Sequence, residues 1–180
     1  MSTLVIWASP NKSGLTAAAK DHIVEGLREG GETANEIAMH DISIERCRIC
    51  GNGWGTCWDY GSCVIEDDFA VLYKDITNAE KIVFVAPVYW HDLPEDLKSF
   101  IDRLRRIDAM KNHVLEGKKY IIVACAGGSG NGAITALQRF EYSLNHLGMV
   151  ACDRLPVTQF NREYMLPALK EAGVRFASED

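Results

Sequence analysis

Residues 81–106 hold the feature that most constrains the fold. Ile82–Ala86 is an unbroken apolar run of β-branched and aromatic residues, the pattern of a strand buried on both faces of a parallel sheet. Pro87 ends the run, and Tyr89-Trp90 follow where the strand would leave the sheet. Pro94-Glu95-Asp96 then reads as a helix start, with proline early in the first turn and acids at the positive end of the helix dipole. Leu97, Phe100, Ile101 and Leu104 recur at helical spacing, so that helix has one apolar face.

The rest of the chain repeats this unit. Thr3–Ala8 is an apolar strand that runs into a hydroxyl-rich loop, Ser9–Thr16, and a helix marked by Leu15, Ala19, Ile23 and Leu27, with Gly30-Gly31 as its stop. Such a loop offers backbone N–H groups, hydroxyls and a helix N-terminus to an anion such as phosphate, although Ser and Thr also serve as ordinary helix caps. Residues 33–39 read as a weaker, edge-like strand, and Asp67-Asp68 caps a helix carrying Phe69, Leu72, Tyr73 and Ile76 on one face. Lys119–Ala126 is a buried strand ending in the glycine-rich run Gly127–Gly132; a long helix follows, with Ile134, Leu137, Phe140, Leu144 and Leu147. Val150–Leu155 is a short fifth strand, and residues 163–173 form a last helix.

Strands alternating with helices at this spacing predict an α/β fold: right-handed crossovers and a parallel sheet with helices on both faces. Five strands in 180 residues fit the flavodoxin-like winding, order 2-1-3-4-5, in a single domain over residues 1–180 with a cysteine-rich loop at 46–66. In such a sheet the ligand lies over the carboxyl ends of the strands, where Ser9–Thr16, Pro87–Trp90 and Ala126–Gly130 fall. Net charge of −6 without a basic stripe argues against nucleic acid. An apolar strand from residue 4, no preceding charged leader and no run of membrane-spanning length predict a cytoplasmic protein. Four of the six cysteines crowd between residues 47 and 63, which in that compartment points to metal or redox chemistry rather than a disulfide framework. None of the six has an arginine six positions on, which excludes a C-x5-R phosphatase loop; Gly128, Gly130 and Ala133 meet only the loosest form of a dinucleotide fingerprint.

The sequence resembles a known family. SPNKSGLT after the first strand, the cysteine-rich segment ending in CVIEDDF, APVYW after the third strand and LKSFIDRL in the next helix stand in the order found in NAD(P)H-dependent FMN reductases, above all their iron–sulfur flavoprotein branch. The likeness covers about residues 3–130 and fades beyond, where only the fold is suggested. It implies a phosphate loop at Ser9, Asn11, Lys12, Ser13, Gly14, Leu15 and Thr16, an isoalloxazine loop at Pro87, Val88, Tyr89 and Trp90, and a second flavin loop at Gly127 and Gly128. Asn11 stands where an Arg is usual and Leu15 where an Asn is common. The implied activity is FMN-dependent oxidoreduction with NAD(P)H as a transient donor and a small molecule or protein as electron acceptor, in a homodimer or homotetramer. The flavin carries the chemistry in this design, so no catalytic side-chain nucleophile or acid–base pair is expected.

Cys47, Cys50, Cys57 and Cys63 have the spacing C-x2-C-x6-C-x5-C. In the iron–sulfur branch two residues, not six, separate the second and third cysteines, so Gly51–Thr56 makes this segment longer by four. Four readings stand: a 4Fe–4S cluster, zinc, a redox-active Cys47–Cys50 pair, or thiols without metal packed on Trp54 and Trp58. Cys125 and Cys152 read as small buried strand residues, and His91 as a nicotinamide or quinone contact or a plain exposed loop residue. Asp102-Arg103 reads either as an ion pair at a subunit contact or as a solvated helix face. Two functions of other classes compete with the reductase: an electron carrier that does not oxidise NAD(P)H, and a zinc-bearing interaction module on the same scaffold.

Overall fold

The computed structural model describes residues 2–179; Met1 and Asp180, the ends of the expected domain range, lie outside the described residues. Strands β1 (Ser2–Trp7), β2 (Thr33–Ala38), β3 (Lys81–Pro87), β4 (Lys119–Ala126) and β5 (Val150–Thr158) form one parallel sheet in the order 2-1-3-4-5. Helices α1 (Leu15–Glu29), α2 (Thr56–Asp59), α3 (Phe69–Asn78), α4 (Glu95–Ile107), α5 (Ala133–Asn145) and α6 (Arg162–Ser178) connect and cover them. This is the expected flavodoxin-like winding.

The pleat sorts the apolar strand residues into two cores. From β3, Ile82, Phe84 and Ala86 face the layer of α3, α4 and α5, while Val83 and Val85 face α1 and α6. Both faces of the central strands are buried, which is why their sequences run apolar without alternation. The α1–α6 crossing is unusually close. A Cβ on Gly173 would stand 2.5 Å from the Ile23 carbonyl, and one on Gly26 would run into the Lys170 carbonyl. At the opposite end of the sheet from the strand carboxyl ends, buried Lys81 pairs with Glu32 at 2.9 Å and donates to the Phe176 and Ala177 carbonyls at 2.8 and 3.1 Å. The cation thus meets the negative end of α6.

Three elements exceed the sequence reading. β5 runs to Thr158 rather than Leu155, because its last residues continue the ladder opposite Ala124, Cys125 and Ala126. The last helix extends past residue 173 to Ser178, since packing of Phe176 and Ala177 and the Lys81 contact hold its final turns. The α4 helix ends in a π-helical turn, Asp108–Asn112, tightened by buried Asp108: its carboxylate accepts from the Tyr73 hydroxyl at 3.1 Å and from the Val114 and Leu115 amides. Cys152, expected to be buried, is half-buried because β5 is an edge strand.

The α1–α6 contact yields a direct test. Gly173→Val forces a side chain into backbone and should cost about 2–3 kcal/mol of stability, read as a lower urea midpoint at unchanged slope. An unchanged midpoint would mean that the two helices part at no cost.

Candidate functional site

β1, β3 and β4 are neighbours, so the loops that follow them meet. The ladder continues past the strand ends: the Ala8 amide donates to the Val85 carbonyl at 3.0 Å and the Val88 amide to the Cys125 carbonyl at 3.0 Å. Between the three loops lies an open cleft of ≈650 Å³. Ser9, Asn11, Gly14, Leu15 and Thr16 line one end; Pro87, Val88, Tyr89 and Trp90 form a wall, and Gly127 and Gly128 lie across from it. Lys12 and Ser13 are not among the lining residues. The Lys12 ammonium reaches Asp41 at 3.3 Å, and the Ser13 amide and hydroxyl donate to Asn11 Oδ1 at 3.0 and 3.2 Å.

The cleft's features fit a ligand with an anionic group and a flat ring. No side chain caps the N-terminus of α1 at Gly14, so its first amides stand at that end beside the buried Ser9 and Thr16 hydroxyls and the Asn11 side chain. A Cβ on Gly127 or Gly128 would meet no protein atom within 4 Å, and Gly128, at φ +46°, occupies a conformation that side chains disfavour. Gln159, from the loop after β5, donates to the Gly128 carbonyl and holds that loop in place. Sequence reasoning missed Gln159, since nothing local marks a residue whose role is set by a neighbour 31 positions away. It also missed that Cys125 lines the cleft. Burial pushes the Cys125 thiol up to about 12, against a hydrogen bond with Thr16, so it stays a neutral thiol.

Tyr89–Asp92 forms a tight hairpin. The Tyr89 amide donates to the Asp92 carbonyl at 2.9 Å and the Asp92 amide to the Tyr89 carbonyl at 3.0 Å. Trp90 and His91, at φ +49° and +64°, both sit in the left-handed region, where glycine or asparagine is the usual choice. Arg139 of α5 holds the turn from outside, donating to the His91 carbonyl at 3.3 Å and to Asp92 at 2.9 Å. The hairpin presents Trp90 at its tip, 96% exposed, and places His91 on the cleft's rim.

The cysteine-rich segment lies against the other half of α4. Arg103, 1% exposed, is neither a subunit-contact ion pair nor a solvated residue; Lys98 takes Asp102 on the exposed face instead. The Arg103 guanidinium grips Asp67 with two bonds, 2.6 and 2.9 Å. It also donates to the Glu45 carbonyl at 3.0 Å and to Cys63 Sγ at 3.5 Å, and it stacks over Phe69 at 4.2 Å. Arg106 stacks on Trp54 at 4.6 Å and donates to the Gly53 carbonyl, fixing the extra loop. Cys47, Cys50, Cys57 and Cys63 all line one cavity of ≈20 Å³ beside both guanidiniums. That is room for about one water. Among the described residues no three His, Cys, Asp or Glu side chains stand close enough to hold a metal ion. The four thiols border one small cavity but are not drawn together as a ligand set, and the space for a metal centre is not open.

Residues 1–160 match the sequence profile of the NADPH-dependent FMN reductase family. The chain is 28% identical over 148 residues to an iron–sulfur flavoprotein of Methanosarcina thermophila, a match covering 81% of this chain and 73% of that protein. It is 26% identical over 169 residues to an FMN-dependent NADH:quinone oxidoreductase of Bordetella petrii, covering 83% and 80%. The fold is similar to the solved NAD(P)H:quinone oxidoreductase from Methanothermobacter marburgensis, with a TM-score of 0.75 at 20% identity over 100% of this chain and 98% of that one.

The Arg103–Asp67 pair carries a pH signature. Burial would push the Asp67 carboxyl up, but hydrogen bonds from Arg103 and from the Glu45 and Phe69 amides outweigh it and hold it below the ordinary range. A carboxyl lowered on folding contributes stability above the unfolded value of about 3.9 and loses it as pH falls through the folded value. Asp67→Asn should therefore cost about 3–5 kcal/mol at neutral pH by leaving Arg103 buried and unpaired. The difference from wild type should narrow only below about pH 4 in urea unfolding; a difference constant down to about pH 2 would contradict the assignment.

Proposed function

The chain belongs to the NADPH-dependent FMN reductase family and is an FMN-dependent oxidoreductase, and we propose that the cleft between the β1, β3 and β4 loops is its FMN site. The observation that carries this reading is the meeting, at the carboxyl end of the three central strands, of an uncapped helix N-terminus, an aromatic hairpin and a glycine turn. The α1 amides and the Ser9 and Thr16 hydroxyls would hold the phosphate. Tyr89 and Trp90 would hold the ring, and the amides of Gly127 and Gly128 would face its polar edge. FMN, when bound, supplies hydride and electron transfer. The protein's part is binding and orientation, and Cys125, as a neutral thiol, offers no nucleophile beside it. NAD(P)H would visit the cleft and leave before an acceptor enters, which is ping-pong turnover.

The four cysteines are the second part of the reading: we assign them to a redox centre of the iron–sulfur type. Support comes from four thiols on one cavity with two guanidiniums to balance anionic charge, and from the relatives' name. The cavity is too small as it stands, so the glycine-rich loop Gly51–Thr56 would have to open to admit a cluster. A homodimer or homotetramer is also part of the proposal, supported by an open cleft and a nearly fully exposed Trp90. No helix among the described residues is long and apolar enough to cross a membrane.

Purification under anaerobic conditions, FMN titration and metal analysis test all of this. One FMN per chain, bleached by NADH or NADPH, with parallel double-reciprocal lines against acceptor concentration, is the expected result. Ser9→Ala together with Thr16→Val should weaken FMN binding about 10–100-fold, the loss of hydrogen bonds to a charged group. Failure to bind FMN would sink the site; bound FMN that NAD(P)H cannot reduce would leave an electron carrier. Iron and sulfide in about fourfold excess over chain would support the cluster, and zinc or no metal would remove it.

A further inference from the structure

The hairpin and the glycine turn, which face each other across the cleft, belong to different βα units. The sheet joins them just past its strands, where the Val88 amide donates to the Cys125 carbonyl at 3.0 Å. Beyond that bond the hairpin projects from the sheet, with Trp90 and His91 in conformations that their side chains disfavour. A strained turn persists only where its surroundings over-determine it.

Helix α5 holds the turn at two places. At its start Gly132, at φ +87°, lets His91 lodge against the backbone: a Cβ there would stand 3.0 Å from both Cα and Cγ of His91. About two turns further along, Arg139 donates to the His91 carbonyl at 3.3 Å and to Asp92 Oδ2 at 2.9 Å. The other carboxylate oxygen, Asp92 Oδ1, accepts from the Leu93 amide at 2.8 Å, so the Asp92 side chain is tied at both oxygens. The same helix begins directly after the glycine run, whose turn is closed by the Gly130 amide on the Gly127 carbonyl at 2.8 Å. One helix therefore carries the glycine turn at its N-terminus and clamps the hairpin along its side.

We propose that Arg139 is a positioning residue for the flavin ring. Through Asp92 and His91 it fixes the hairpin to the helix that carries Gly127 and Gly128, so the two loops keep one spacing across the cleft. The ring role rests on the FMN reading of the cleft; the clamp itself does not. The phosphate end is built by α1 and its preceding loop, and Arg139 bonds to neither. The Arg139–Asp92 pair is half exposed, so it contributes little to global stability. Its effect is on geometry, where a binding slot held slightly too loosely loses affinity.

The test compares FMN and riboflavin, which has the same ring and no phosphate, by quenching of flavin fluorescence. The whole chain, Arg139→Ala, Asp92→Ala and the double variant are titrated. Arg139→Ala should weaken both flavins alike, by about fivefold, leaving the ratio of the two affinities within about twofold of wild type. The double variant should bind no more weakly than Asp92→Ala, because both changes break one link. In the flavin-free chain, chymotrypsin should cut after Tyr89 or Trp90 about fivefold faster in Arg139→Ala, with the urea midpoint unchanged. Unchanged flavin affinity in Arg139→Ala, a loss confined to FMN, additive losses in the double variant, unaltered cleavage at the hairpin or a lowered urea midpoint would each overturn the assignment. A wild-type chain that binds neither flavin would sink the FMN reading and the ring role with it. A wild-type chain that binds both, matched by Arg139→Ala, would sink the role of Arg139 alone.

Discussion

Parallel pairing in a fixed register is the constraint on which this molecule depends. Trp7 lies opposite Val85, and Pro87 opposite Cys125, so three strands leave the sheet level with one another. Each is buried on both faces, and a one-residue slip would turn its side chains from one core to the other. Core packing therefore fixes the heights of Ser9, Val88 and Gly127 to within a fraction of a residue. A cleft built from the ends of such strands needs no motif of its own to be assembled. The residues that touch a ligand are set by the strands beneath them, which is why loops of little intrinsic order can form a defined site.

The cysteine segment is organised by a different device. It has no strand and only one helical turn, and its apolar contribution to the core is small. A single buried guanidinium ties its two ends together: Arg103 binds the Glu45 carbonyl before the first cysteine and Asp67 after the last. Breaking a buried pair of this kind costs several kcal/mol, whereas keeping it contributes little net stability. Its effect is on specificity of conformation, holding Cys47 and Cys63 to one cavity although 15 residues separate them. Arg106 does the same for the extra loop through Trp54 and the Gly53 carbonyl. The conformation that other segments owe to apolar burial is specified here by two arginines on one helix.

This difference decides what was legible beforehand. Strands such as Ile82–Ala86 and helices such as Glu95–Ile107 announce themselves because burial on two faces, or on one, imposes a period on the sequence. The loops that follow them could be located for the same reason. Arg103 could not be read: in sequence it is one charge in a charged helix, and only the depth of the Glu45–Asp67 segment over that helix makes it buried. Gln159 and Cys125 were hidden likewise, since each acquires its role from an element distant in the chain. The lengths of β5 and α6 were underestimated because Val157 and Phe176 are held by tertiary contacts rather than by local periodicity.

The hairpin at Tyr89–Asp92 shows the same logic at its sharpest. Local preference would place glycine or asparagine at positions 90 and 91, and the chain has tryptophan and histidine there. A left-handed conformation at each of two such residues costs free energy that nothing within the turn recovers, apart from the paired Tyr89–Asp92 hydrogen bonds. Arg139 and the strand below must supply the remainder. Where local rules and the fold disagree and the fold prevails, the disfavoured residues are retained for what they present. Here they present an indole to solvent at the rim of the cleft, a position in which a glycine turn would be more stable and would offer no aromatic wall.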